Sequence, residues 1–114
     1  IKVKTFVQVN ISGEESKSGM QPKETFEFLR RMRDFPHIDV IGLMTMAPLD
    51  GDAEAARPVF RGLRELRDRL NESGASEKPL EHLSMGMSGD FEVAIEEGAT
   101  WVRLGSILVG KEED

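Results

Sequence analysis

HLSMGMSGDFEVAIEEGATWVRLGSILVG, residues His82–Gly110, carries the clearest signature of architecture in the chain. It reads as a strand, a glycine-serine turn, a short helix, a strand and a second glycine-serine turn. Leu80 to Met87 is the first of these strands. Ser88 suits a helix cap, and Asp90 favours the positive end of that helix. Phe91, Ala94 and Ile95 carry the helix, which closes at Gly98. Trp101 to Val109 is the second strand. Two strands that each end in small residues bring two loops to one place. Backbone N–H groups exposed in such loops suit a phosphate. In a (β/α)8 barrel, the loops after the last two strands are where phosphate most often sits.

Working back from this stretch, the pattern repeats. Val40 to Met46 is a near-continuous apolar run, as in a strand buried on both faces. Val59, Phe60, Leu63, Leu66 and Leu70 mark the apolar stripe of a long helix that ends at Asn71, Ser73 and Gly74. Pro58 sits badly inside a helix that begins at Ala53. The helix therefore starts near Arg57 or has bent first turns. Ile1 to Asn10 alternates as a β-strand. Pro22 suits a first helical position, Phe28, Leu29, Met32 and Phe35 repeat at helical spacing, and Pro36 stops the helix. The order is βαβαβαβ. Strict alternation of this kind means an α/β fold with parallel strands and helical crossovers. Four such strands make a small open sheet or half of a barrel. In the second case two strand edges need covering, by a partner segment or a second copy of the chain.

The sequence has 114 residues, a net charge of −6 and no cysteine. That length allows one domain and is short for a whole parallel barrel, which takes about 250 residues. The acidic balance argues against a nucleic-acid surface. Arg30, Arg31, Arg33 and Arg61, Arg64, Arg67, Arg69 sit among acids at helical spacing and read as solvated helix faces. Without cysteine there is no disulfide, thiolate metal site or cysteine nucleophile. No apolar run has the length of a membrane span and no signal-peptide pattern opens the chain, so a cytoplasmic location is expected. The chain opens on Ile1 directly in strand-like sequence, which suggests a fragment. His37 and His82 have no ligand pattern around them and read as structural or exposed. Met44, Met46, Met85 and Met87 read as flexible apolar filling. Lys17 reads as a loop charge, and nothing gives Asp50 or Asp52 an acid–base role.

The segments QVNISGEESKSGM, IGLMTM, HLSMGMSGDFEVAIEEGATWVRLGS and ILVG resemble the pyridoxal-phosphate homeostasis proteins, whose barrel is related to the N-terminal domain of alanine racemase. The resemblance runs along essentially the whole chain, in order and with normal spacing. It implies the second half, strands five to eight, of a (β/α)8 TIM barrel of that type, with residues 1–114 as the C-terminal half of one domain. Its Schiff-base lysine belongs to the first barrel strand, which this sequence does not contain, and Lys17 is not its equivalent. Carried over by position, Ser84, Gly86, Met87 and Ser88, with Gly105 and Ser106, resemble a cradle for the phosphate of pyridoxal 5'-phosphate. A phosphate or sulfate ion would stand in for it. Arg103 matches the arginine that faces the pyridine nitrogen in related enzymes. Asn10 and Met46 point toward the same mouth by their places at strand ends. The resemblance implies cofactor binding and homeostasis without catalysis, with pyridoxal phosphate and the missing N-terminal half-barrel or a second copy as partners. Two alternatives stand beside it. One is a piece of an amino-acid racemase, whose second base would be a tyrosine absent here. The other is an excised or engineered half-barrel that self-associates.

Overall fold

A computed structural model describes residues 2–13, 19–47, 52–105 and 107–110. Strand β1 (Val3–Gln8) leads through a 3-10 turn, Pro22–Glu24, into helix α1 (Thr25–Met32). Strand β2 (Ile38–Met44) is followed by a second 3-10 turn, Ala53–Ala56, and helix α2 (Arg57–Ser73). Strand β3 (His82–Ser84), helix α3 (Phe91–Glu96), strand β4 (Trp101–Leu104) and strand β5 (Ile107–Gly110) complete the order. The five strands form one sheet in the order β1-β2-β3-β4-β5. The first four are parallel and β5 is antiparallel to β4.

Sequential strand order has a physical consequence. Crossovers between parallel strands are right-handed almost without exception, so a sheet that grows in one direction carries all its helices on one face. The core agrees. Val7, Leu43 and Leu83, which stand in register across three strands, are buried with Leu29 of α1, Phe60 and Leu63 of α2, and Val93 and Ala94 of α3. Phe60, Leu63, Leu43 and Leu83 have no exposed surface at all. The buried stripe of α2 comprises Val59, Phe60, Leu63, Leu66 and Leu70, as the spacing predicts. Pro58 is accommodated by both expected routes at once. The α-helix starts at Arg57, and the turn before it is wound as 3-10, with Asp52 Oδ1 accepting the Ala55 N–H at 3.1 Å.

The other face carries the alternate residues. Phe6, Gly42 and His82 share one row across β1, β2 and β3, and Gln8, Met44 and Ser84 share the next. A Cβ on Gly42 would lie 2.1 Å from the His82 carbonyl oxygen, so only glycine fits the middle of the first row. Over it the rings of Phe6, His82 and Trp101 meet edge to face, with centroids 6.2–6.4 Å apart. His82 is buried and its Nδ1 lies 3.1 Å from Thr100 Oγ1, a structural role. Among the described residues, Trp101 Nε1 is the buried side-chain polar atom without a hydrogen-bond partner.

One expectation needs correction. Trp101 to Val109 is not one strand. The chain turns at Gly105, whose φ is +61°, and returns as β5, pairing Trp101 with Gly110 and Leu104 with Ile107. The sequence looks like one strand because both arms are β-prone and the turn is marked only by a small residue. The arginine face of α2 stays open to solvent but has a partner that spacing does not show. Arg57, Arg61 and Arg64 stand on one helix stripe and converge on Glu97, just past α3, whose side chain is 5% exposed. Arg57 Nη1 and Arg61 Nη2 approach Oε2 at 2.8 and 3.2 Å, and Arg64 Nη1 approaches Oε1 at 3.0 Å. Arg57 also binds Glu54 and Glu96. Hydrogen bonds from Arg61 and Arg57 hold the Glu97 carboxyl down at about 2. Glu54, then Glu96 and Glu97, raise the Arg57 guanidinium, and Glu97 raises that of Arg61. Helical spacing alone could not reveal the shared carboxylate, because Glu97 is far off in sequence.

Candidate functional site

The parallel strands end together, and backbone bonds continue past their ends. Val9 N–H donates to the Met44 carbonyl at 2.7 Å, Thr45 N–H to Ser84 at 3.1 Å, Met85 N–H to Trp101 at 3.0 Å and Arg103 N–H to Gly86 at 2.9 Å. The Thr45 hydroxyl is buried and donates to the Val9 carbonyl at 2.7 Å. These bonds fix three loops around one cavity at the C-terminal ends of the strands. Its lining includes Met44, Met46, Ser84, Gly86, Met87 and Arg103. In parallel α/β folds this end of the sheet is where ligands bind.

Each loop is shaped by local chemistry. Gly86 has φ +105°, and a Cβ there would meet Ala94 Cβ at 2.6 Å. The strand can therefore turn away over α3 only if residue 86 has no side chain. Asp90, which also lines the cavity, turns its Oδ1 back to the Met87 N–H at 2.7 Å. That bond ties the loop to the start of α3 and engages the Met87 amide. The two glycine-serine loops then meet directly, because Ser88 Oγ accepts the Gly105 N–H at 3.0 Å. Ser88 thus binds the neighbouring loop, and Asp90 is the residue at the helix start.

The sequence-derived residues divide clearly. Met46, Ser84, Gly86, Met87 and Arg103 line one cavity, and Ser88 and Gly105 close its rim through their mutual bond. The Arg103 side chain is exposed at this site and, among the described residues, forms no ion pair. Asn10 is elsewhere in its loop. It is buried, and its Oδ1 accepts the Gly13 N–H at 3.0 Å and the Ser12 hydroxyl at 3.2 Å, contacts that shape the loop after β1. Ser106, Lys17 and Asp50 lie outside the described residues. Sequence reasoning missed Thr45 as the residue that stitches β1 to β2, and missed the Asp90–Met87 turn. The second was legible, since an Asp side chain in a turn readily accepts from a nearby backbone amide. Among the described residues no three His, Cys, Asp or Glu side chains gather as metal ligands, and no helix is long and apolar enough to cross a membrane.

The sequence pattern of the alanine racemase N-terminal domain matches residues 1–113. The chain belongs to this family. Within it, the chain is 50% identical over 105 residues to the pyridoxal phosphate homeostasis protein of Aquifex aeolicus, covering 92% of this chain and 45% of that protein. It is 38% identical over 114 residues to the human protein of the same name, covering 98% of this chain and 42% of that one. Among solved structures, PipY of Synechococcus elongatus without PLP is similar at a TM-score of 0.81 and 32% identity, covering 90% of this chain and 47% of PipY. PipY with PLP bound is similar at a TM-score of 0.75 and 30% identity, covering 89% of this chain and 46% of that one. The chain therefore spans less than half the length of these alanine racemase N-terminal domain relatives.

Proposed function

We propose that this chain carries the phosphate-holding side of a pyridoxal phosphate site in a cofactor-homeostasis protein and does not itself catalyse a reaction. The observation that carries this reading is the meeting of the two glycine-serine loops, Ser88 Oγ against the Gly105 N–H at 3.0 Å, beside Arg103. A hydroxyl and an amide already within hydrogen-bond reach are a preformed pair of donors once each turns to an anion. The residues fit the cofactor's phosphate. Gly86 leaves the wall free of a side chain, Ser84 and Ser88 offer hydroxyls, Met87 lines the same wall, Gly105 offers its amide, and Ser106 follows directly. Pyridoxal phosphate, when bound, brings an aldehyde that reacts with amines and a ring that can withdraw electrons. Arg103 beside the pyridine nitrogen would oppose its protonation and so weaken that electron sink, which suits storage and delivery better than catalysis. Met46 sits at the mouth of the same cavity. Asn10, just past the end of β1, belongs to the proposed set, with its Oδ1 also accepting the Gly13 N–H.

In this reading residues 1–114 are the second half, strands five to eight, of one TIM barrel. The other half would bring the lysine-bearing strand and cover the helix-free face, giving Trp101 Nε1 an acceptor. Equilibrium dialysis against pyridoxal phosphate tests the site. Saturable binding that inorganic phosphate competes away is expected, weakened at least about tenfold in Arg103→Ala for the loss of one charge-assisted contact. After borohydride no lysine should carry a stoichiometric adduct. An adduct on Lys17, or binding indifferent to phosphate, would overturn the assignment. The racemase reading is disfavoured by the absence of any tyrosine. Conversion of L- to D-alanine by the purified chain would revive it.

A further inference from the structure

The chain has six methionines and no cysteine, and four of the six, Met44, Met46, Met85 and Met87, line the cavity beside Arg103. Thioether sulfur is therefore the chain's readily oxidised group, and it is concentrated at the ligand site. The four are graded in access. Met46 is 37% exposed at the mouth, Met44 and Met87 are half-buried, and Met85 on the floor is 2% exposed. Met20 and Met32 are half-buried away from this cavity.

We infer that Met46 is a site of reversible oxidation by hydroperoxides, and that its sulfoxide lowers the affinity of the cavity for phosphorylated ligands. In the reaction a lone pair of Sδ attacks one peroxide oxygen and an S–O bond forms as the O–O bond breaks. Sulfur gives up two electrons, and the remaining oxygen leaves as water, or as an alcohol from an organic peroxide. The product exchanges a flexible apolar side chain for one with a strong hydrogen-bond acceptor. That acceptor lies in the cavity of the Arg103 guanidinium, where it competes with the ligand for the same donors. It also places a polar dipole where the wall is apolar. This step rests on the proposed phosphate-ligand reading of the cavity.

Limited hydrogen peroxide followed by peptide mass spectrometry ranks the six sulfurs. Met46 is expected to gain oxygen first, ahead of Met20 and Met32, with Met85 last. Dialysis against pyridoxal phosphate before and after treatment gives a within-protein ratio. That ratio should be about fivefold in the natural sequence, the effect of one competing hydrogen bond. It should be close to one in Met46→Leu, whatever that variant's own affinity, and methionine sulfoxide reductase should restore the oxidised natural protein. Oxidation of Met46 no faster than Met32 overturns the inference, as does an equal ratio in Met46→Leu. Untreated protein that fails to bind pyridoxal phosphate saturably overturns the site reading itself, and the inference with it.

Discussion

At the scale of single residues, Gly86 is where fold and site depend on the same atom. Its φ of +105° and the 2.6 Å approach of a built Cβ to Ala94 Cβ leave no room for alanine. Gly86→Ala is expected to cost about 2–4 kcal/mol from backbone strain and overpacking together. Gly89→Ala, in the same loop with nothing near its Cβ, should stay within about 0.5 kcal/mol. Urea melts of the two variants beside the natural protein measure both. Equal losses would mean that the turn, and not the contact with α3, sets the requirement. The glycine-serine pattern was legible because turns need small residues wherever they fall. That Ser88 reaches across to Gly105 was not legible, since the bond joins loops 17 positions apart. Asn10 shows what a strand-end position leaves open. Its place suggested the mouth, and its Oδ1 also accepts the Gly13 N–H of its own loop.

At the scale of elements, α2 and α3 are joined by one carboxylate. Glu97 contributes stability while it is charged and its three arginines hold it. Its folded pKa of about 2 lies below the ordinary 4.5, so this contribution is full above about 4.5 and is lost as pH falls toward 2. Glu97→Gln should therefore melt below the natural protein at pH 7, and the two melting curves should converge near pH 2. A gap that persists unchanged at low pH would assign the effect to packing rather than charge. The spacing of α2 correctly predicts its buried stripe, because a helix must turn one face to the sheet. It left the shared partner of the opposite stripe of arginines unseen, because a solvated face and a face with a distant buried partner leave the same pattern in sequence. Strand β5 was missed for a related reason. A strand continuing and a strand folding back at a tight turn have the same composition, and pairing decides between them.

For the whole molecule, the sheet leaves an edge. Met20 pairs with β1 at its upper end, where its N–H donates to Gln8 and its carbonyl accepts from Asn10. Below that point, among the described residues, no strand pairs the outer side of β1, and Val3 is 57% exposed there. Leu108 and Val109 are exposed on β5 at the opposite edge. Unpaired edges with apolar side chains attract other strands. Sedimentation velocity is expected to show association that grows with concentration and weakens in Val3→Lys. Monomers at every concentration would mean that the edges are protected in the natural protein. Such association would compete with the proposed N-terminal half of the barrel, so supplying that half should suppress it.

The sequence by itself determined the alternation of strand and helix, the faces that are buried, and the two small-residue loops. These are local properties, since periodicity, turn chemistry and apolar runs act over a few neighbours in the chain. It also carried the family, through motifs in the right order. The tertiary structure alone decided which loops touch, which arginines share Glu97, that the last strand returns on β4, and that four methionines ring one cavity. Those are distances between residues far apart in the chain. Only the packing of all the helices on one face of a sequentially ordered sheet fixes them.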